Sequence, residues 1–193
     1  MDVQTAATST TPSLTVGEVF REHAPFVWRA LRRLGVREAD VEDVCQEVFV
    51  VVHRRLPEFE GRSSVRTWVY GICVRVASDW RKRAHVRREL TTDDAPEPPP
   101  SSRRGLPRDP EGDHARREAR AILDRMLDEL DEDKRAVFVL YEIEQLTMNE
   151  VAEAVGCPLQ TAYSRLHAAR KIVETQIAAH TARQATSTRG AHP

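Results

Sequence analysis

Thr147-Met-Asn-Glu-Val-Ala-Glu-Ala-Val-Gly-Cys-Pro-Leu-Gln-Thr-Ala-Tyr-Ser-Arg-Leu-His-Ala-Ala-Arg-Lys171 is the stretch on which the reading of the chain turns. Thr147 followed by Glu150 is a capping box, which predicts a helix from Met148. Val151, Ala152 and Val155 give that helix an apolar stripe, and Gly156 ends it where positive φ is needed. Pro158 suits the first turn of a second helix. Two short helices joined by a tight Gly-containing turn form a helix-turn-helix, whose second helix characteristically enters the DNA major groove. In that second helix Ala162, Leu166, Ala169 and Val173 recur at helical spacing and must face a core. The opposite face carries Gln160, Tyr163, Ser164, His167 and Lys171, flanked by Arg165 and Arg170. Polar side chains of this kind can hydrogen-bond base edges, and flanking arginines suit phosphates. The competing plain reading is a solvated helical hairpin.

The 193 residues leave room for one or two domains with modest cores. A net charge of −1 hides a strong segregation. From Arg54 to Arg88 ten Arg/Lys face three acids, Glu58, Glu60 and Asp79. From Glu118 to Glu153 eleven acids face four bases, Arg120, Arg125, Lys134 and Arg135. The basic block points to an anionic partner better than the near-neutral total does. Cys45, Cys73 and Cys157 lie far apart on or beside apolar helical faces, so free thiols are expected, and no His/Cys cluster has zinc spacing. The opening Met-Asp-Val-Gln-Thr lacks a basic-then-apolar leader, and the longest apolar run, Val48 to Val52, is too short to span a membrane. A cytoplasmic protein without membrane insertion is expected.

Along the chain, residues 1–13 are rich in Thr, Ser and Ala and predict disorder. A first helix carries Val16, Val19, Phe20, Ala24, Val27, Leu31 and Leu34 on one face; Pro25 inside it predicts a kink or a split, and Gly35 closes it. Asp40 with Asp43 predicts an N-cap for a second helix from Val41 to about Leu56. That helix is buried along Val41, Val44/Cys45, Val48 and Val52, and exposed along Glu42, Asp43, Gln46, Glu47 and Val50. A loop at Pro57–Gly61 precedes a third helix, capped by Ser63 or Ser64 and running through Arg83. Val65, Val69, Ile72 and Val76 face inward, with Trp68 and Trp80 at the edges. Arg66, Tyr70, Arg75, Arg81 and Lys82 are expected outward or sideways, as a basic, aromatic platform for single-stranded nucleic acid. Core filling is the simpler use of Trp68.

From residue 84 to 112, prolines 96, 98, 99, 100, 107 and 110 punctuate a charged stretch that is not expected to stay helical. A second helical unit starts near Asp113. One amphipathic helix presents Ala119, Ile122, Leu123, Met126, Leu127 and Leu130, and another, Asp133 to Glu144, turns Ala136, Val137, Val139, Leu140 and Ile143 inward. Residues 176–193 are expected to fray. The fold class is therefore all-α: two small helical domains, 14–90 and 113–175, joined by a flexible Pro-rich linker at 91–112, with tails at 1–13 and 176–193.

Two helical modules in this order resemble a bacterial RNA polymerase sigma factor of the sigma-70 family, extracytoplasmic-function (ECF) class. The resemblance rests on Asp40-Val-Glu-Asp43-Val-Cys-Gln46-Glu47-Val-Phe49 and Ser63-Ser-Val-Arg66-Thr67-Trp68-Val-Tyr70 in the first half. In the second half it rests on Arg135-Ala-Val137-Phe138-Val-Leu140, Glu144-Gln-Leu146-Thr147 and Thr161-Ala-Tyr-Ser164-Arg165-Leu166. It implies a region-2-like bundle and a region-4-like helix-turn-helix. The implied partners are core RNA polymerase and promoter DNA, the −10 element as single strand and the −35 element as duplex. An anti-sigma protein, common in the family, is admitted as a further partner.

The resemblance assigns docking on the polymerase clamp helices to Asp40, Asp43, Gln46, Glu47 and Phe49. It assigns the −10 element to Phe59, Gly61, Ser63, Ser64, Arg66, Tyr70, Arg75, Arg81 and Lys82. The −35 element falls to Gln160, Thr161, Tyr163, Ser164, Arg165, His167, Arg170 and Lys171. Glu60 stands where the family often has arginine, Arg75 where it has asparagine, and Gln160-Thr161-Ala162 where Gly-Thr-Val is usual; these departures bear on promoter choice. No cofactor, metal or catalytic residue is implied. The alternatives are a stand-alone dimeric helix-turn-helix regulator, which would need no clamp-like face, and an enzyme such as a nuclease, for which no ligand constellation stands out.

Overall fold

The computed structural model describes residues 14–90 and 110–189. The expectations for 1–13, for most of the Pro-rich linker and for 190–193 lie outside the described residues. Among the described residues seven α-helices follow one another: α1 (Val16–Arg33), α2 (Val41–Arg55), α3 (Val65–Leu90), α4 (Pro110–Asp128), α5 (Glu132–Phe138), α6 (Met148–Val155) and α7 (Leu159–Arg189). Short 3-10 turns precede and follow α2, and a π-helical turn, Val139–Ile143, extends α5.

Local chemistry sets most boundaries. Thr15 and Glu18 form a full capping box at α1, as do Thr147 and Glu150 at α6. The Ser64 hydroxyl accepts from the Thr67 amide at 3.0 Å and so caps α3. Asp40 does not cap α2 with its side chain; its carboxylate instead accepts from Arg37 Nε at 2.9 Å. Pro25 neither splits nor ends α1, which runs on to Arg33. Pro158 sits one residue before α7, and its carbonyl accepts from the Ala162 amide at 3.1 Å.

Three expected boundaries move outward. α3 continues to Leu90 rather than Arg83, α4 starts at Pro110 rather than Asp113, and α7 reaches Arg189 where fraying was expected. A first-turn position tolerates Pro110, because its missing N–H would have no helical partner there.

The helices of the N-terminal half pack as a three-helix unit, with Val27, Leu31, Val41, Val44, Val48, Val52, Val69 and Ile72 buried. α6 lies against α3, and Val137, Leu140, Leu146, Met148 and Val151 join the same core, so the two halves share one apolar interior. A smaller cluster, Leu127, Leu130, Val139 and Ala169, holds α4 and α5 on α7. Ala119, expected inward, is exposed.

Two glycines separate local strain from packing. Gly156 (φ +70°) ends α6 in the left-handed region with open space where a Cβ would go. Gly35 (φ +93°) lies under the Arg135 guanidinium, which a Cβ would meet at 2.9 Å. Gly156→Ala is expected to cost about 1–2 kcal/mol, the left-handed penalty alone. Gly35→Ala should cost distinctly more, because it also unseats Arg135. Urea denaturation of both variants checks the order.

Candidate nucleic-acid and partner interfaces

The recognition face of α7 is built as its pattern demands. Ala162, Leu166 and Ala169 are buried, while Gln160, Tyr163, Ser164, His167 and Lys171 are exposed, Tyr163 by 49%. The Ser164 hydroxyl donates to the Gln160 carbonyl at 3.0 Å, which leaves its oxygen lone pairs turned to solvent as acceptors. Thr161 is half-buried. The two flanking arginines are held by the protein's own acids: Arg165 pairs with Asp133, and Arg170 with Glu142 at 2.6 Å while lying 5.5 Å from the Tyr141 ring centroid. Such part-exposed pairs are weak and salt-screened, so they orient the guanidinium groups without removing them from use.

On α2, Asp43, Gln46 and Glu47 line the exposed face together with Val50, and Glu47 accepts from Arg83 at 2.7 Å. Phe49 does not belong to that surface. It is 8% exposed and its ring meets Phe20 edge-on at 4.7 Å, so it is a core residue. Asp40 is tied to Arg37 at the start of the helix.

The α3 region divides. Phe59 leans on the half-buried Trp68, with ring centroids 5.0 Å apart. Gly61, Ser64, Arg75 and Lys82 are exposed and Ser63 is half-buried. Glu60 is paired with Arg62, which neutralises the acid that departs from the family pattern. Tyr70 corrects the expectation of an outward or sideways ring: it is 0% exposed, tilted against Phe26 with ring centroids 4.7 Å apart, and its hydroxyl donates to Glu144. Arg81 pairs at 3.0 Å with Glu132, across the seam between the halves.

Glu144 was legible in the sequence only as part of a motif, with no role of its own. Its carboxylate is buried and receives Arg33 at 2.5 Å, Arg66 at 3.3 Å and the Tyr70 hydroxyl. The π turn widens the helix just before it, and Gln145 (φ 58°) then reverses the chain in the left-handed region. Thr67 adds a bond to Glu150 at 3.0 Å, Arg32 one to Asp124 at 3.3 Å, and Arg135 Nε one to the Arg33 carbonyl at 2.7 Å. All but the last join a donor of the N-terminal half to an acid of the C-terminal half. The segregated charge blocks were the available signal.

The electrostatics follow the geometry. Burial raises the Tyr70 phenol above its ordinary value, and the Glu144 carboxylate that accepts its proton raises it further. Tyr70 first, and Glu144 after it, raise the Arg66 guanidinium against the opposing effect of burial, whereas burial lowers that of Arg135. Burial lowers His23 and raises the Cys73 thiol. Cys45, Cys73 and Cys157 are free cysteines. Among the described residues no three His, Cys, Asp or Glu gather as for a metal, and no helix is long and apolar enough to cross a membrane.

Known proteins match this arrangement half by half. The family Sigma-70 region 2 matches residues 19–87, and Sigma-70, region 4 matches residues 120–173. The ECF RNA polymerase sigma-E factor of Escherichia coli (strain K12) is 34% identical over 146 residues, covering 74% of this chain and 76% of its own. The ECF RNA polymerase sigma factor SigE of Mycolicibacterium smegmatis is 30% identical over 173 residues, 88% of this chain and 64% of its own. Among solved structures, CnrH in complex with the cytosolic domain of CnrY has a TM-score of 0.60 at 24% identity, over 85% of this chain and 88% of that one. The sigma factor RpoE bound to the anti-sigma factor NepR from Bartonella quintana has a TM-score of 0.62 at 18% identity, over 83% and 95%. These two share the fold.

The raised Tyr70 phenol gives an alkaline signature. The folded state holds that proton more tightly than the unfolded chain, so its contribution is complete below about pH 10 and lost as pH climbs through the folded value. Of the three tyrosines, one is expected to ionise only with unfolding when absorbance is followed during alkaline titration, and Tyr70→Phe should remove that delayed component. Ionisation of all three ahead of unfolding in the wild type would contradict the Tyr70–Glu144 contact.

Proposed function

The chain belongs to the sigma-70 family of RNA polymerase factors, in its ECF group, and directs promoter-specific initiation of transcription; from that premise we propose how its surfaces divide the work. Residues 14–90 serve as the module for core polymerase and the −10 element. Residues 113–175 serve as the −35 module, and 91–112 as the tether between them. The observation that carries the reading is the outward polar face of α7, with Tyr163, Ser164 and His167 exposed over a buried Ala162–Leu166–Ala169 stripe.

Asp43, Gln46, Glu47 and Val50 on α2 form the surface for core polymerase. Phe49 supports that helix from inside. Arg66, Arg75, Arg81 and Lys82 supply cations for the melted −10 strand, while Phe59 and the Gly61–Ser64 turn lie where an unstacked base would be received; a base already unpaired costs least to extract. Gln160, Tyr163, Ser164 and His167 face the −35 bases, with Arg165, Arg170 and Lys171 beside the phosphates. Good bidentate base contacts discriminate by about 1–3 kcal/mol, whereas phosphate contacts supply salt-sensitive affinity. Phosphodiester chemistry belongs to the polymerase. The work is placed in the cytoplasm, where polymerase and chromosome are. An anti-sigma protein fits as regulator, since the fold is shared with sigma factors captured in such complexes. A stand-alone dimeric regulator would have no use for the first module.

Asp43→Arg with Gln46→Ala is expected to abolish run-off transcription with purified core polymerase while leaving the circular dichroism spectrum intact; copurification with core at wild-type levels would refute the docking surface. His167→Ala should relax the choice of one base, by about 1–3 kcal/mol or roughly tenfold to a hundredfold in preference. Selection from a promoter library randomised at −35 reads that directly.

A further inference from the structure

We propose that Asp133 and Glu142 are positioning residues for the recognition helix: by clasping Arg165 and Arg170 from its two sides they fix its roll, and so decide which base edges Tyr163, Ser164 and His167 reach. The inference rests on the −35 reading of α7.

Helical geometry sets the problem. At about 100° per residue, Arg165 and Arg170 stand roughly 140° apart around α7, one on each side of the buried Ala162–Leu166–Ala169 stripe, with the recognition face opposite. That stripe is two alanines and one leucine, and Ile172 and Val173, a turn further on, are only partly buried. Short methyls hold a helix down but define its rotation poorly, because a unique seating comes from side chains that interlock in shape.

Attachments at the two edges supply what the stripe lacks. Glu142 projects from the π turn, and its Oε1 accepts from both Nε and a terminal nitrogen of Arg170 at 2.6 Å. The Tyr141 ring centroid lies 5.5 Å from the same guanidinium. A two-point contact to a planar group restrains direction as well as distance. On the other side Asp133, in the first turn of α5, pairs with the half-buried Arg165. Both carboxylates belong to the continuous segment, α5 and its π turn, that packs under α7.

The consequence for base readout is geometric. With side-chain tips about 5–6 Å from the helix axis, a roll of about 20° displaces each tip by about 2 Å, enough to break a hydrogen bond. All base contacts move together when the helix turns. Loss of both carboxylates therefore relaxes several −35 positions at once, whereas His167→Ala relaxes one. Each pair is part-exposed and salt-screened, so its removal leaves the fold intact.

The test uses the full chain reconstituted with core polymerase on a promoter library randomised at −35. Total transcript and the enrichment of each −35 base are read from the same reaction. Asp133→Asn with Glu142→Gln should flatten preference across several positions by about tenfold in all, equivalent to one good base contact, while total transcript and the urea midpoint stay near wild type. Glu142→Gln alone should give part of that effect. Glu153→Gln, the same change at an exposed site on α6, should give none.

Preference decides the matter, because a variant that only unfolds more readily makes fewer transcripts of unchanged sequence choice. Wild-type preference in the double variant would overturn the proposal, whether or not transcript and urea midpoint fall. So would relaxation confined to one base, or an equal flattening by Glu153→Gln, which would assign the effect to net charge. A wild type with no −35 preference at all would instead defeat the assignment of α7.

Discussion

A buried carboxylate has to be answered by donors, and in this chain the donors of Glu144 are supplied by the other half of the molecule. Taking a charge out of water costs several kcal/mol, and the cost is recovered only when hydrogen bonds fill its lone pairs. Arg33, Arg66 and Tyr70 do that together. Two of the three are fixed by further neighbours: Tyr70 by the Phe26 ring, and Arg66 by lying 5.7–5.9 Å from the centroids of both rings. Because the geometry requires α1, α3 and the π turn at once, the arrangement of the two halves and the burial of Glu144 stand or fall together. Removing one partner of such a set is more harmful than never having built it, since the survivor stays buried and unpaired.

The same contact gives the charge segregation a use. A basic block and an acidic block on one chain attract each other wherever a tether permits, and here they meet at Arg66–Glu144 and Arg81–Glu132, with Arg32–Asp124 and Arg33–Glu144 added from α1, ahead of the basic block. Outside Glu144 these pairs are part-exposed and individually weak. Their tethering makes the encounter intramolecular, with an effective concentration no free competitor matches without several contacts of its own. The near-neutral net charge of −1 is what such a pairing looks like from composition.

Legibility followed the locality of the cause. The capping box at Thr147, the left-handed Gly156 and the inward stripe of α7 were readable because each depends on residues within a few positions of one another. Phe49 entered the docking set through the family motif alone, and Tyr70 was read as outward or sideways because helical spacing locates a side chain on a face but cannot say what covers that face. Phe20 covers the first, and Glu144, seventy-four positions along the chain, covers the second. Arg135 shows the same limit: a charged residue in an acidic run reads as surface, yet Gly35 leaves space for its guanidinium, which reaches the Arg33 carbonyl and Asp128. The length of α7 was missed for another reason. Its distal half lacks the apolar density that periodicity relies on, yet a helix already nucleated propagates through alanine-rich sequence at little cost.

The two surfaces proposed to face DNA are unequally exposed, and the inequality bears on how a promoter would be engaged. The recognition face of α7 points outward, with Tyr163 half exposed, while on α3 Tyr70 is wholly buried and Arg81 is paired across the seam. Duplex readout by α7, as proposed, needs no rearrangement of the chain. On α3, Arg66, Arg75 and Lys82 are exposed, and only Tyr70 and Arg81 are taken up at the seam. A melted strand on the proposed α3 surface would therefore meet cations already turned to solvent, with the buried Tyr70 ring fixing the helix from inside rather than offering itself to a base.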